Sequence, residues 1–177
     1  KTHPLPAIYV QLLERKSIVD HIILSGGECT ISYDFKYVVT VLHANGFKIG
    51  IHTNGSTYSE FQRVRDQISF VGLDIKCFYD YYETFVVDTK LTQKIVTSIQ
   101  MYLMKILEYQ YEVKTVIDSY QCKEHLMWIA NELKKDNIKE WILQYEVQDG
   151  KKVLHYPQKW YDKTVEDLNK IIPTRIR

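Results

Sequence analysis

The sequence predicts an α/β fold built on a mainly parallel, five-stranded sheet. Short runs rich in Ile, Val and aromatic residues, typical of buried strands, alternate with longer segments of helical periodicity. This alternation repeats five times, which indicates crossover helices joining parallel strands. A length of 177 residues suits one α/β domain, which buries about 70% of the surface of its unfolded chain.

The predicted elements follow one another with little intervening loop. Asn45-Gly46 is a helix stop, and Pro173 ends the last helix. Strands are expected at 20–25, 47–53, 68–75, 111–118 and 140–145. Helices are expected at 4–15, 34–45, 59–67, 89–108, 122–136 and 162–172.

The last 30 or so residues have a different composition, with fewer strand signals and a local basic pair, Lys151-Lys152. We therefore expect one domain over residues 1–146 and an extension over residues 147–177 that packs on it.

Composition excludes several classes of protein. The 23 basic and 22 acidic side chains leave a net charge of +1, too little to neutralise a run of phosphates, so no nucleic-acid partner is expected. No apolar run approaches the ~18 residues of a membrane span, so no membrane partner is expected. The three cysteines are widely spaced, and the N-terminus lacks a signal region. Both features predict a cytoplasmic protein.

Polar and glycine-rich segments follow the predicted strands. Parallel strands joined by crossover helices place their carboxyl ends along one edge of the sheet, where ligands bind. The sequence therefore predicts a binding site at this edge. The segments that converge there are 25–28 (SGGE), 52–56 (HTNGS), 74–77 (DIKC), 114–118 (KTVID) and 144–146 (QYE).

The Gly26-Gly27-Glu28 segment has two interpretations. Glycines without a Cβ let the backbone approach a ligand closely, and the Glu28 carboxylate can accept a charge-assisted bond from an ammonium group. Alternatively, the segment is a tight turn whose glutamate caps nearby backbone. It is neither a dinucleotide fingerprint nor a P-loop, because the third glycine and the Gly-Lys-Ser/Thr ending are missing.

The next two segments also leave alternatives open. Thr53 and Asn54 suit a ribose diol or an amino-acid head group, or else they form an Asn-Gly turn with Ser56 or Thr57 capping the next helix. Strand alternation sends Asp74 and Lys76 to one side, where they either meet a ligand or form an internal ion pair, for example with Lys114.

Cysteine and tyrosine residues give weaker signals. Cys29, Cys77 and Cys122 come from three separated loops, so no metal site is predicted among them. The run of tyrosines at 79, 81 and 82 either packs against the long helix or lines a groove for a partner chain.

In order and spacing, the segments ILSGGECT (23–30), GFKIGIHTNGS (46–56) and FVGLDIK (70–76) resemble radical S-adenosylmethionine (SAM) proteins. Segments 113–118 and 141–146 add weaker support. The resemblance is strongest to the activating proteins of anaerobic ribonucleotide reductase, which are related to the pyruvate formate-lyase activating enzyme. It covers roughly residues 5–146.

The resemblance implies a partial (β/α)6 barrel in which five strands are readable here and the first strand and cluster loop are absent. It implies SAM as a cofactor, and a 4Fe–4S cluster held by a Cys-x3-Cys-x2-Cys loop. That motif is not in this sequence, so the cluster is expected only if the motif lies upstream of Lys1. We expect the chain to be a fragment, inactive as shown, that lacks this N-terminal part.

Site residues follow from the resemblance by position. The glycine-glutamate segment would hold the methionine ammonium, the Thr-Asn pair would lie near the ribose and methionine, and the remaining residues would add SAM contacts. The expected cofactor-binding residues are Gly26, Gly27, Glu28, Thr53, Asn54, Asp74, Lys76, Lys114 and Gln144.

The implied function is that of an activase that generates a glycyl radical on a partner enzyme. The expected partners are a glycyl radical enzyme, such as anaerobic ribonucleotide reductase, and an electron donor such as flavodoxin. The alternative is a cluster-less module of the same fold with a binding or structural role. A Cys-x3-Cys-x2-Cys motif encoded upstream of Lys1 would favour the enzyme, and a start codon directly before Lys1 would favour the module.

Overall fold

The computed structural model describes residues 5–76, 89–119 and 122–177. Within these ranges no helix is long and apolar enough to span a membrane. The helices are α1 (Leu5–Glu14), α2 (Phe35–Ala44), α3 (Tyr58–Gln62), α4 (Thr89–Ile106), α5 (Lys123–Lys135) and α6 (Gln158–Leu168), with short 3-10 helices at Cys29–Ile31 and Arg65–Gln67. The strands are β1 (His21–Leu24), β2 (Lys48–Thr53), β3 (Ile68–Asp74), β4 (Gln110–Ile117), β5 (Trp141–Gln148), β6 (Lys151–Val153) and β7 (Thr174–Ile176).

The strands form a single curled sheet, a half-barrel, in the order β1-β2-β3-β4-β5-β6. Strands β1 to β5 are mutually parallel, so the predicted α/β class and partial barrel are confirmed. Strand β5 has three neighbours. Its first half pairs with β4 and, in parallel, with β7, and its last residues pair with β6 in an antiparallel hairpin.

The differences from the predicted elements lie mainly after residue 145. The sequence does not predict strands β6 and β7, because each has only three residues and an apolar alternation cannot be recognised over so short a run. Two residues of β6 and one residue of β7 are basic. The helix expected at 162–172 begins instead at Gln158, directly after Pro157 at its N-cap. The helix expected at 59–67 is divided into α3 and the second 3-10 helix.

The core lies between one face of the sheet and the helices. Alternate residues of the central strands are fully buried there, among them Ile51, Leu73, Val113 and Leu143. Burying each such side chain contributes about 1.5–3 kcal/mol. The opposite, inner face carries partly exposed polar side chains together with some apolar ones, such as Val116 and Ile142.

A buried hydroxyl joins three strands near the carboxyl end of the sheet. Thr115 on β4 donates to the carbonyl of Ile75 at 2.6 Å and accepts from the indole nitrogen of Trp141 at 3.2 Å. All three residues are fully buried, so water cannot replace either bond. The positions of the strand ends that carry the polar residues therefore depend partly on this hydroxyl.

We predict that Thr115→Val lowers the free energy of unfolding by about 1–3 kcal/mol, because it leaves a buried carbonyl and a buried indole N–H without partners. Urea denaturation of the variant and the wild-type chain measures the difference. Thr97→Val is the control, since the Thr97 hydroxyl donates to a helix carbonyl at an exposed position. Equal losses in the two variants would contradict a structural role for Thr115.

Candidate functional site

The loops after β1 and β2 are joined by the carboxylate of Glu28. Its Oε1 accepts from the Thr30 amide at 3.1 Å and from the Thr53 hydroxyl at 2.9 Å, and the Thr30 hydroxyl donates to the same oxygen at 2.5 Å. Its Oε2 accepts from the Asn54 amide at 2.7 Å. One half-buried carboxylate therefore receives four hydrogen bonds from two loops.

These bonds confirm the capping interpretation of Glu28, which is the N-cap residue of the Cys29–Ile31 helix. A carboxylate oxygen accepts about two hydrogen bonds, so Oε1 is saturated, whereas Oε2 keeps room for one more donor. The expected bond to a methionine ammonium stays a prediction, and it can involve only Oε2.

The Thr53-Asn54 segment forms the expected Asn-Gly turn. The Thr53 hydroxyl is buried and accepts from the Gly55 amide at 3.0 Å, and Asn54 Oδ1 accepts from the Ser56 amide at 2.9 Å. Gly55 has a φ of +78°, which glycine adopts readily. Thr57 is the N-cap residue of α3 but makes no capping bond through its side chain. The side-chain nitrogen of Asn54 is the group left for a ligand.

The two glycines before Glu28 leave open space beside the backbone. Gly26 and Gly27 have φ values of +99° and +57°, and a Cβ at either position would have no atom within 4 Å. The residue type is therefore required by the backbone conformation, and the exposed peptide groups are accessible to a ligand.

Three half-buried polar side chains on the inner face of the sheet have no hydrogen-bond or ion-pair partner in the part of the chain that the structure describes. Asp74 Oδ1 is a buried oxygen with no hydrogen bond, and burial raises the pKa of this carboxyl. Lys114, its register partner on β4, makes no ion pair within the described residues. The amide of Gln144 on β5 has no hydrogen-bond partner in that part of the chain either. The internal Asp74–Lys114 ion pair that the sequence left open is therefore not formed.

Lys76 lies beyond the end of β3 and is exposed, in contrast to the inward placement expected for it beside Asp74. It interacts with other groups and is not a free cation. The half-buried residue in register with Asp74 on the inner face is Lys114.

His52 belongs to the same face but was not predicted as a site residue. Its ring lies against Gly72, where a Cβ would come within 2.4 Å of the imidazole Cδ2. Burial lowers the pKa of His52, and the positive charge of Lys114 lowers it further. Strand alternation places His52 on the same face as Asn54, two residues later, and could have indicated this position. A histidine next to a turn does not by itself indicate a ligand.

Glu112 and Arg177 form a further inward pair that sequence analysis did not find. The guanidinium of Arg177 donates to both carboxylate oxygens of Glu112, at 3.0 and 2.6 Å. These residues are 65 positions apart, and only the pairing of β7 with β5 brings them together.

The described residues contain no group of three or more His, Cys, Asp or Glu side chains that could hold a metal ion. Cys29 donates its thiol to the His52 carbonyl at 3.3 Å, and burial raises its pKa to about 12, so it is not a thiolate. Cys77 and the tyrosines at 79, 81 and 82 lie outside the described residues. The residues described here therefore do not fit an iron–sulfur cluster.

A cavity of about 370 Å³ lies between α1, β1 and α2, on the helix side of the sheet and away from the polar inner face. Its lining is almost entirely apolar, so it offers nothing to the charged groups of a nucleoside or an amino acid. The lining residues are Ile8, Tyr9, Leu12, Ile22, Leu24, Tyr37, Val38, Val41 and Leu42.

Solved structures of known enzymes share this architecture, although no family model and no curated protein matches the sequence. A domain of pyruvate-formate lyase-activating enzyme from Bacteroides vulgatus aligns with a TM-score of 0.64 and 10% identity, over 88% of this chain and 98% of that domain. SuiB from Streptococcus suis and archaeal TYW1 align with it as well. All three are radical SAM enzymes. The chain has the radical SAM fold.

The radical SAM fold covers nearly the whole chain but only part of its larger neighbours. The SAM-bound SuiB structure has a TM-score of 0.63 and 14% identity, over 100% of this chain and 44% of SuiB. Archaeal TYW1 has a TM-score of 0.61 and 14% identity, over 97% of this chain and 66% of TYW1. The chain thus spans less than half the length of SuiB. The radical SAM resemblance seen in the sequence is confirmed at the level of the fold.

We predict that Glu28→Gln lowers the free energy of unfolding by about 1–3 kcal/mol, because the new amide NH2 cannot accept and leaves at least one donor of the loop network unpaired. Urea denaturation measures the loss. Glu60→Gln is the control, since Glu60 pairs with Arg63 at the surface, where ion pairs contribute about 0–1 kcal/mol. A loss no larger than that of the control would contradict the importance of the network.

We predict that His52 makes the protein less stable as the pH falls below about 6.5. Because its pKa is lowered in the folded state, the unfolded chain takes up the proton first, and protonation then favours unfolding. His52→Gln removes this contribution, so its stability should fall less steeply between pH 7 and pH 5. Parallel stability–pH curves for the variant and the wild-type chain would contradict the prediction.

Proposed function

We propose that this chain is the SAM-binding part of a radical SAM enzyme, and that the complete protein generates a glycyl radical on a partner enzyme. The observation that carries the proposal is a set of polar groups near the carboxyl edge of the sheet, Asp74, Lys114 and Gln144, that have no partner among the described residues. Buried polar groups are normally satisfied by the protein or by water, so groups of this kind at a strand edge favour a ligand.

SAM has groups that complement these residues. Its methionine carboxylate suits the unpaired ammonium of Lys114, and its ammonium suits the free lone pair of Glu28 Oε2 or the Asp74 carboxyl. Its ribose hydroxyls suit the amide groups of Asn54 and Gln144. The open peptide groups of Gly26-Gly27 would allow the methionine portion to approach the backbone.

The finer assignment to an activase is supported by the order of the SGGE, TNGS and DIK segments. It is also supported by the fold of the pyruvate-formate lyase-activating enzyme domain, of which the chain covers 98%. SuiB and TYW1 share the fold and are other kinds of radical SAM enzyme, so the fold is compatible with more than one reaction.

The described residues would bind and orient SAM, and the ligands of a 4Fe–4S cluster would have to come from elsewhere in the protein. Such a cluster would supply the electron that cleaves SAM to methionine and a 5′-deoxyadenosyl radical. In this proposal the radical would take a hydrogen atom from a glycine of a partner such as anaerobic ribonucleotide reductase, and an electron donor such as flavodoxin would supply electrons to the cluster.

The test uses the chain expressed with any coding sequence that precedes Lys1 and purified anaerobically. We expect calorimetry to show SAM binding, and Lys114→Gln to weaken it by about 1.5–3 kcal/mol through loss of a charged hydrogen bond. Lys139→Gln is the matched control, because Lys139 is an exposed lysine at the opposite edge of the sheet. Failure of the wild-type protein to bind SAM would overturn the proposal.

A second measurement separates the enzyme from the cluster-less module. Under reducing conditions the enzyme should cleave SAM to 5′-deoxyadenosine and produce a glycyl radical signal on the partner by electron paramagnetic resonance. Binding of the partner without SAM cleavage would favour the module. SAM cleavage without a glycyl radical on any tested partner would contradict the activase assignment alone.

A further inference from the structure

The Glu112–Arg177 pair lies on the same face of the sheet as Lys114, whose ammonium has no ion-pair partner among the described residues. Glu112 and Lys114 are two residues apart on β4, so both side chains point to the inner face of the sheet. Both oxygens of Glu112 accept hydrogen bonds from the Arg177 guanidinium, at 3.0 and 2.6 Å. A bidentate pair of this kind fixes the direction of the carboxylate as well as neutralising it.

The backbone holds Arg177 in a defined position. Its amide donates to the carbonyl of Leu143 at 3.0 Å, and its carbonyl accepts from the amide of Tyr145 at 3.0 Å. Arg177 therefore continues the β7 ladder along β5. Because β4 lies on the other side of β5, the guanidinium crosses the inner face of β5 to reach Glu112.

This arrangement explains why Lys114 has no carboxylate partner among residues 5–76, 89–119 and 122–177. Glu112 is the carboxylate nearest in sequence on the same face, and it is only 17% exposed, so it would be expected to pair with an adjacent ammonium. Arg177 occupies both of its oxygens instead. Asp74, across the strand pair, makes no ion pair with Lys114 either.

We propose that Arg177 is a positioning residue for the ligand: by engaging Glu112, it keeps Lys114 available to bind the carboxylate of SAM. This rests on the proposed function, in which SAM occupies the inner face of the sheet. Arg177 itself need not touch the cofactor. In its absence, Glu112 would pair with Lys114 and compete with the SAM carboxylate for the same ammonium.

Calorimetric SAM titrations of four variants test this positioning role, using the same anaerobically purified protein. Arg177→Gln should weaken SAM binding by about tenfold, the effect of losing about 1.4 kcal/mol. The double variant E112Q/R177Q should recover affinity to within about threefold of the wild-type value, because the competing carboxylate is gone. Glu112→Gln alone should bind SAM at least as tightly as the wild-type protein.

Arg175→Gln is the matched control for the pair. Arg175 lies on β7, two residues before Arg177 and on the same face, but it pairs with the exposed Glu140 at 2.5 Å and not with Glu112. SAM affinity should be unchanged in this variant. Decarboxylated SAM provides a ligand control, since its binding should respond much less to Arg177→Gln than the binding of SAM itself.

The outcomes of these titrations distinguish a positioning role of Arg177 from a purely structural one. Unchanged SAM affinity in Arg177→Gln would overturn the positioning role while leaving the proposed function intact. Equal weakening in Arg177→Gln and E112Q/R177Q would show that Arg177 only stabilises the fold. If Arg177→Gln does not fold, weakened SAM binding by the single variant Glu112→Gln would still overturn the role. Absence of SAM binding by the wild-type protein would overturn the proposed function and this inference together.

Discussion

The structure depends on one constraint, the alternation of side chains in a parallel sheet that has the described helices packed on one face. Residues that alternate along β2, β3, β4 and β5 bury Ile, Val and Leu under the helices. Their neighbours must point to the inside of the half-barrel, where His52, Asp74, Lys114 and Gln144 occur beside apolar residues such as Ile142. The hydrophobic effect thus determines the outer face, and by doing so determines which residues form a polar inner face.

Polar groups near the site fall into two sets that differ in how completely they are bonded. Glu28 and the Thr53 hydroxyl take part in a network that joins two loops, and little of their hydrogen-bonding capacity remains. Asp74, Lys114 and Gln144 have no such partners within the described residues, although each is partly buried. The first set holds the edge of the sheet in shape, and the second set is the one with capacity for a ligand. A motif that resembles a binding segment can therefore contain residues of both kinds.

Strand β7 connects the carboxyl-terminal part of the chain to the candidate site. The β7 strand pairs with β5 on the side opposite β4, and Arg177 reaches back across β5 to Glu112. The residues that follow β5 therefore do more than cover the surface of the domain, because Arg177 forms an ion pair with Glu112 on the face that carries Lys114. Burial lowers the pKa of His52 on this face, and the positive charge of Lys114 lowers it further.

The sequence by itself determined the α/β class, the five parallel strands and the edge at which the polar residues collect. It could do so because strand and helix periodicity and the course of crossover connections are local properties of the chain. The sequence left open whether Glu28 binds a ligand or caps nearby backbone. Only the tertiary structure shows the capping role, because the hydrogen-bond partners Thr53 and Asn54 are 25 and 26 residues away in sequence. The roles of His52, Glu112 and Arg177 were likewise decided by strand register, which brings together residues that are distant in sequence. Strands β6 and β7 were missed for the same reason, since three-residue strands exist only because β5 offers them hydrogen bonds.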